Sequence, residues 1–185
     1  MTTSGCWSVT VVLGAVLSTI SCRHAPESFA LGIQRAEKVV LYEGLPHQSS
    51  EHELLAEELR TKATQEFHNY PFYAEPLALR DEDAKRLSEI RGNVRTFHQY
   101  RGPKGCGGFH PDYLVEWHVG ADRFQALICF GCTEVKLFGP GLESLNDLEE
   151  DAENQLRELL KRYRKHRPAS WNAEYQVPRR TSRST

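Results

Sequence analysis

The residue types best able to do chemistry sit in one stretch of the chain. Cys106-Gly107-Gly108-Phe109-His110-Pro111-Asp112 is followed, after a gap of 18 residues between His110 and Cys129, by Cys129-Phe130-Gly131-Cys132. Thiolates and imidazoles are the ligands zinc prefers, about four of them at about 2.0–2.3 Å in a tetrahedron, and Cys106, His110, Cys129 and Cys132 make a Cys3His set. A disulfide is the competing outcome. Joining Cys106 to one of the later cysteines closes about 25 residues and contributes about 3 kcal/mol in the chain-entropy picture. No cofactor is required on that reading, and zinc is the alternative. Buried free thiols are the third possibility.

Other chemistries fit less well. A redox Cys-x-x-Cys works at a helix N-terminus, where the dipole lowers the thiol pKa, whereas Thr133-Glu134-Val135-Lys136-Leu137 reads as strand. Thr133 stands where c-type haem attachment needs histidine. His110, Asp112 and Glu116 could serve a thiol as an acid/base set, but no local signature marks one. His110-Pro111-Asp112 is similar to the tripeptide of J-domain cochaperones; that tripeptide lies between helices, and β-type sequence follows it here. Lys104, Gly105, Gly107 and Gly108 lack the Gly-Lys-Ser/Thr and following helix of a phosphate loop, so they read as a tight backbone loop around Cys106.

Cysteine number bears on compartment. The chain has five, at 6, 22, 106, 129 and 132. Met1 to Cys22 carries no charged residue, and Val9 to Ile20 is an apolar run of signal-peptide length, short for a spanning helix. The run closes on Thr19-Ile20-Ser21-Cys22 and then turns polar. This leader resembles a bacterial lipoprotein signal, whose lipobox cysteine receives a diacylglyceryl group. The resemblance implies that Cys22 is the lipidated first residue of an exported protein. An ordinary cleaved signal or an uncleaved anchor fits the same run. With Cys6 and Cys22 accounted for, three cysteines remain, which permits one disulfide and one further thiol. The blocks Lys38–His47, Cys106–Tyr113 and Ile128–Val135 resemble those of an exported bacterial protein family of no assigned activity, which implies localisation and no mechanism.

The elements that must position the Cys/His segment follow from pattern. At 185 residues, 39% hydrophobic and 26% charged, the chain suits one globular domain over 37–167, with a tether over 23–36 and a disordered tail over 168–185. Lys38–Tyr42 reads as a strand ending at Gly44-Leu45-Pro46. Ser50 and Glu53 make a capping box for a helix over 51–66, and a second helix spans 81–91. The proline- and aromatic-rich stretch 69–76 reads as an ordered connection.

Four strands are predicted over 94–100, 113–119, 124–130 and 133–138, the middle pair a hairpin through Gly120-Ala121-Asp122. Gly139-Pro140-Gly141 closes the sheet segment. Ser144 caps a last helix with Leu145, Leu148, Ala152, Leu156, Leu159 and Tyr163 on one stripe, acidic at its start and basic at its end as the helix dipole favours; Pro168 stops it. Trp171 and Tyr175 offer anchors for the tail. The fold class is α+β, an antiparallel sheet of about four to five strands against two to three helices.

A formal net charge of -2 does not suggest a nucleic-acid partner. The expected partners are the membrane, through the lipid on Cys22, and an envelope protein. The expected role is binding or structural. A small metal- or thiol-dependent enzyme centred on Cys106, His110, Cys129 and Cys132 is the alternative.

Overall fold

The computed structural model describes residues 25–166. In chain order these form α1 (Ala25–Ile33), β1 (Lys38–Glu43), α2 (His52–Thr61), β2 (Thr64–Phe67), β3 (Tyr70–Tyr73), α3 (Asp81–Gly92), β4 (Phe97–Gln99), β5 (Tyr113–Val119), β6 (Asp122–Cys129), β7 (Glu134–Gly139), β8 (Leu142–Leu148) and α4 (Glu150–Leu160). Short 3-10 turns precede β4 and follow α4. One sheet has the order β1-β5-β6-β7-β8-β4, every neighbour antiparallel, and β2 and β3 form a separate hairpin. The fold is α+β as expected, with a larger sheet.

The strand period of two gives the sheet two apolar faces. Tyr113, Val115 and Trp117 of β5, Phe124, Ala126 and Ile128 of β6, and Val135 and Leu137 of β7 point into the main core. Leu114 and Leu127, paired across β5 and β6, point the other way and pack with Phe72 of β3 and with Tyr42, Phe67 and Phe109. Helices α1, α3 and α4 contribute Phe29, Leu87, Leu156 and Leu159 to the main core, and the β2–β3 hairpin supplies Phe72 to the second cluster.

Several elements differ from the sequence reading. The stretch expected to be a tether contains α1. Pro26 near its start and Phe29, Ala30 and Ile33 at helical spacing let it bury one face, and Phe29 is fully buried. The Phe29 ring meets Phe97, Trp117 and Phe124 edge-on at 6.4, 5.6 and 5.9 Å between centroids. Gly32 permits this approach, since a Cβ there would lie 2.3 Å from the Phe124 ring.

The expected helix over 51–66 ends at Thr61, and the chain turns into β2. Its N-cap is Glu51 and not Ser50; no side chain caps it, and the Glu51 carboxylate accepts the His47 N–H at 2.8 Å. The stretch 69–76 is partly strand. Pro71 sits in β3 opposite Glu66 of β2, its carbonyl accepts the Leu45 N–H at 3.4 Å, and His68 and Asn69 make the left-handed turn between the two strands.

Gly139-Pro140-Gly141 does not close the sheet but turns the chain into β8. Leu145 and Leu148 therefore lie on a strand, and α4 starts at Glu150 with Glu149, not Ser144, accepting the Ala152 N–H at 3.0 Å. The strand expected over 94–100 is a 3-10 turn and the short edge strand β4. The leader with Cys6 and Cys22, and the tail with Pro168, Trp171 and Tyr175, lie outside the described residues.

Two buried charges shape the frame. Glu43, at the end of β1, accepts the backbone N–H groups of Lys165 and His166 at 3.0 Å and so holds the chain after α4 against β1. Arg91 is fully buried with its guanidinium 5.5 Å from the Phe97 ring centroid, and burial pulls its pKa below the usual value.

Because Phe29 fills the centre of the main core, Phe29→Ala is expected to lower stability by about 3–5 kcal/mol in urea titration. A loss under about 1 kcal/mol would show that α1 is a dispensable tether after all.

Candidate functional site

The Cys/His segment occupies the long connection between β4 and β5 together with the tight turn between β6 and β7. The connection, residues 100–112, has no regular structure of its own and is tied at three points. The Lys104 ammonium reaches Asp147 at 2.5 Å and Glu134 at 3.4 Å, two carboxylates that face each other across β7 and β8. A lysine between them offsets the repulsion of like charges directly opposed on a sheet. Cys106 then forms a disulfide with Cys132, 26 residues away and 5.6 Å between Cα atoms. Finally, Asp112 enters the sheet.

Asp112 is the polar centre of this end of the molecule. It is 2% exposed, and its carboxylate accepts the Phe130 N–H at 2.7 Å. Its own backbone N–H donates to the Ile128 carbonyl at 2.7 Å, and its carbonyl accepts the Gly44 N–H at 2.8 Å. One residue thus links β1, β5 and the β6–β7 turn. Arg157 of α4 holds the same turn from the other side, donating to the Phe130 carbonyl at 3.1 Å with its guanidinium 4.5 Å from the Phe130 ring centroid.

A small cavity is lined by His47, Cys106, His110, Asp112, Cys129, Gly131 and Cys132. The His47 and His110 rings lie 4.7 Å apart between centroids. The Ser49 backbone N–H donates to His47 Nδ1 at 3.1 Å, and the Ser49 hydroxyl lies 2.8 Å from the same nitrogen. A backbone donor fixes Nδ1 as an acceptor, so the neutral ring carries its proton on Nε2. Gly107, at φ +84°, passes so close that a Cβ would lie 2.7 Å from Ser49 Oγ and 3.3 Å from the His47 ring.

Cys129 closes the cavity floor as a buried free thiol. Burial, then the negative charge of Asp112, pushes its pKa up to about 12, so it is a protonated thiol near neutral pH and a poor nucleophile. The two cysteines of Cys-x-x-Cys therefore do not act as a pair: Cys132 reaches across to Cys106.

All four residues singled out from sequence, Cys106, His110, Cys129 and Cys132, come together. Their state differs from a Cys3His metal centre, because two of the sulfurs are joined to each other. Among the described residues no group of three or more His, Cys, Asp or Glu side chains is arranged to hold a metal ion. Glu116 does not belong with His110 and Asp112. It binds His118 Nε2 and Gln125 Nε2, each at 2.6 Å, and Gln125 continues to His68 at 2.6 Å.

His47, Ser49, Lys104, Glu134 and Asp147 were not legible as site residues. His47 precedes Cys106 by a long stretch of chain, and only β1–β5 pairing brings the two together. No helix among the described residues is long and apolar enough to cross a membrane. No protein-family model, curated protein or solved structure matches the chain.

Two outcomes follow from this geometry. Replacing Cys106 and Cys132 together with serine should cost about 3 kcal/mol, with reductant lowering the stability of the parent chain but not of the variant. Equal sensitivity to reductant in both would place the stabilisation elsewhere. Burial also holds the Glu134 carboxyl above its usual pKa, with Lys104 opposing the shift. The folded state therefore keeps this proton more firmly than the unfolded state, and the stability it contributes is lost as pH rises through the raised value. Glu134→Gln should gain stability relative to the parent chain as pH rises above the ordinary carboxylate range, measured by thermal unfolding. A pH-independent difference would contradict the assignment.

Proposed function

We propose that this protein is a lipid-anchored domain of the bacterial cell envelope, tethered by a diacylglyceryl group on Cys22, and that it acts as a binding or structural module. The observation that carries the reading is the Cys106–Cys132 disulfide. Structural disulfides persist in oxidising compartments outside the cytosol, the destination that a lipoprotein-type leader specifies. The domain then draws its membrane affinity from acyl chains, at about 0.8 kcal/mol per buried CH2, and needs no membrane-binding surface of its own. An envelope protein is the partner class this placement favours.

The enzyme alternative draws less support from the same residues. Cys129 is held protonated, Cys106 and Cys132 are consumed in the bridge, and Asp112 is committed to the Phe130 N–H. The disulfide and Asp112 hold the 100–112 connection to the sheet.

The chain expressed from its first methionine in a bacterial host should partition with membranes and carry a diacylglyceryl-modified N-terminal Cys22 by intact mass. Cys22→Ser should leave the protein unlipidated and shift it out of the membrane fraction. A mature protein whose N-terminus lies elsewhere, or whose mass shows no lipid, would overturn the anchor.

A further inference from the structure

Reducing one bond changes what the cavity can hold. Three sulfurs and an imidazole, from Cys106, Cys129, Cys132 and His110, line a single small space, although sequence places them on two separate segments. The turn between β6 and β7 presents two of them. Cys129 ends β6 and Cys132 sits in the turn before β7, where Thr133 takes a left-handed φ of 55°. The backbone N–H groups of His110 and Cys132 approach the Cys129 sulfur, the kind of contact that stabilises a bound thiolate.

The cavity also holds a carboxylate: Asp112 lines it beside the sulfurs and the imidazole, and negative charge next to a site favours a bound divalent cation, the largest local charge there. His47 is not a ligand on this account: the Ser49 N–H occupies Nδ1, leaving the proton on Nε2, and metal binding at Nε2 would require that bond to be given up.

We propose that the disulfide is one state of a redox-controlled zinc site, and that the reduced chain binds one Zn2+ through Cys106, Cys129, Cys132 and His110. A dithiol supplies two electrons and two protons, breaking the Cys106–Cys132 bond and becoming a disulfide itself. Zinc then displaces the protons of the three thiols and takes His110 as the fourth ligand, completing a closed tetrahedral set. Reoxidation by a disulfide runs the exchange backwards: the Cys106–Cys132 bond re-forms, the oxidant leaves as a dithiol, and the metal is ejected. The paired sulfurs must move apart to share an ion. Gly105 and Gly108 on one side and Gly131 on the other, each with open space where a Cβ would stand, leave the backbone room for that adjustment. The inference does not depend on lipidation at Cys22.

The test uses the purified full chain, oxidised or reduced with excess dithiol and desalted without oxygen, titrated with Zn2+ and with Co2+ as a spectroscopic substitute. The reduced chain should bind one metal, show thiolate-to-cobalt charge transfer, and protect Cys106, Cys129 and Cys132 from alkylation in peptide mapping. The oxidised chain should do none of these. Cys129→Ser and His110→Gln should each weaken zinc binding by more than about tenfold while leaving the oxidised far-UV circular dichroism unchanged. His47→Gln should leave affinity within about threefold. Absence of stoichiometric metal on the reduced chain would overturn the proposal, as would equal alkylation with and without zinc, or full affinity in both Cys129→Ser and His110→Gln.

Discussion

A strand that is apolar on both faces has to be covered twice, and β5 and β6 impose that condition on the rest of the molecule. Trp117 and Leu114 are both fully buried yet point to opposite sides of the same strand. Burying side chains of this kind contributes on the order of 1.5–3 kcal/mol each, so leaving either face wet would be costly against the small net stability of a domain. The main face recruits α1, α3 and α4. The second face recruits the β2–β3 hairpin, whose Phe72 and Phe67 seat on Leu114 and Leu127. The same condition explains why residues 25–33 form a helix with one buried face: Phe29 packs against Phe97, Trp117 and Phe124.

The cavity lies where the sheet's hydrogen bonding runs out. At the exit of β6 the chain makes a tight turn whose backbone groups cannot all be satisfied by ladder pairing, and buried backbone donors left without acceptors are expensive. Asp112 and Arg157 supply the missing partners, one to the Phe130 N–H and one to the Phe130 carbonyl. With the turn fixed, Cys129 is buried and Cys132 faces the connection that carries Cys106. Stability and potential reactivity thus meet in the same residues, and the oxidation state of one bond decides which is expressed.

Legibility in the sequence varied with how local the governing interaction was. β5 and β6 follow from their runs of β-forming residues and the Gly120-Ala121 turn, and α3 follows from its periodic apolar positions and the Gly92 terminus. Leu145 and Leu148 illustrate the limit: their spacing continues the stripe of α4, yet Pro140-Gly141 directs them into β8, where pairing with β7 outweighs helical propensity. Ser50 likewise carries the signature of a cap and makes none, because the Glu51 carboxylate is drawn to the His47 N–H.

Sequence by itself determined the α+β class and the concentration of Cys106, His110, Cys129 and Cys132 in two short segments, the place to look for chemistry. Each is a property of local composition and periodicity, which the chain carries before it folds. Only the tertiary structure decided that Cys106 joins Cys132 and leaves Cys129 buried, that His47 and Ser49 line the same cavity, and that Lys104 bridges Glu134 and Asp147. Those pairings depend on the register of β1 against β5 and of β7 against β8. Register is set by burial on both sheet faces at once, a constraint that no single segment contains.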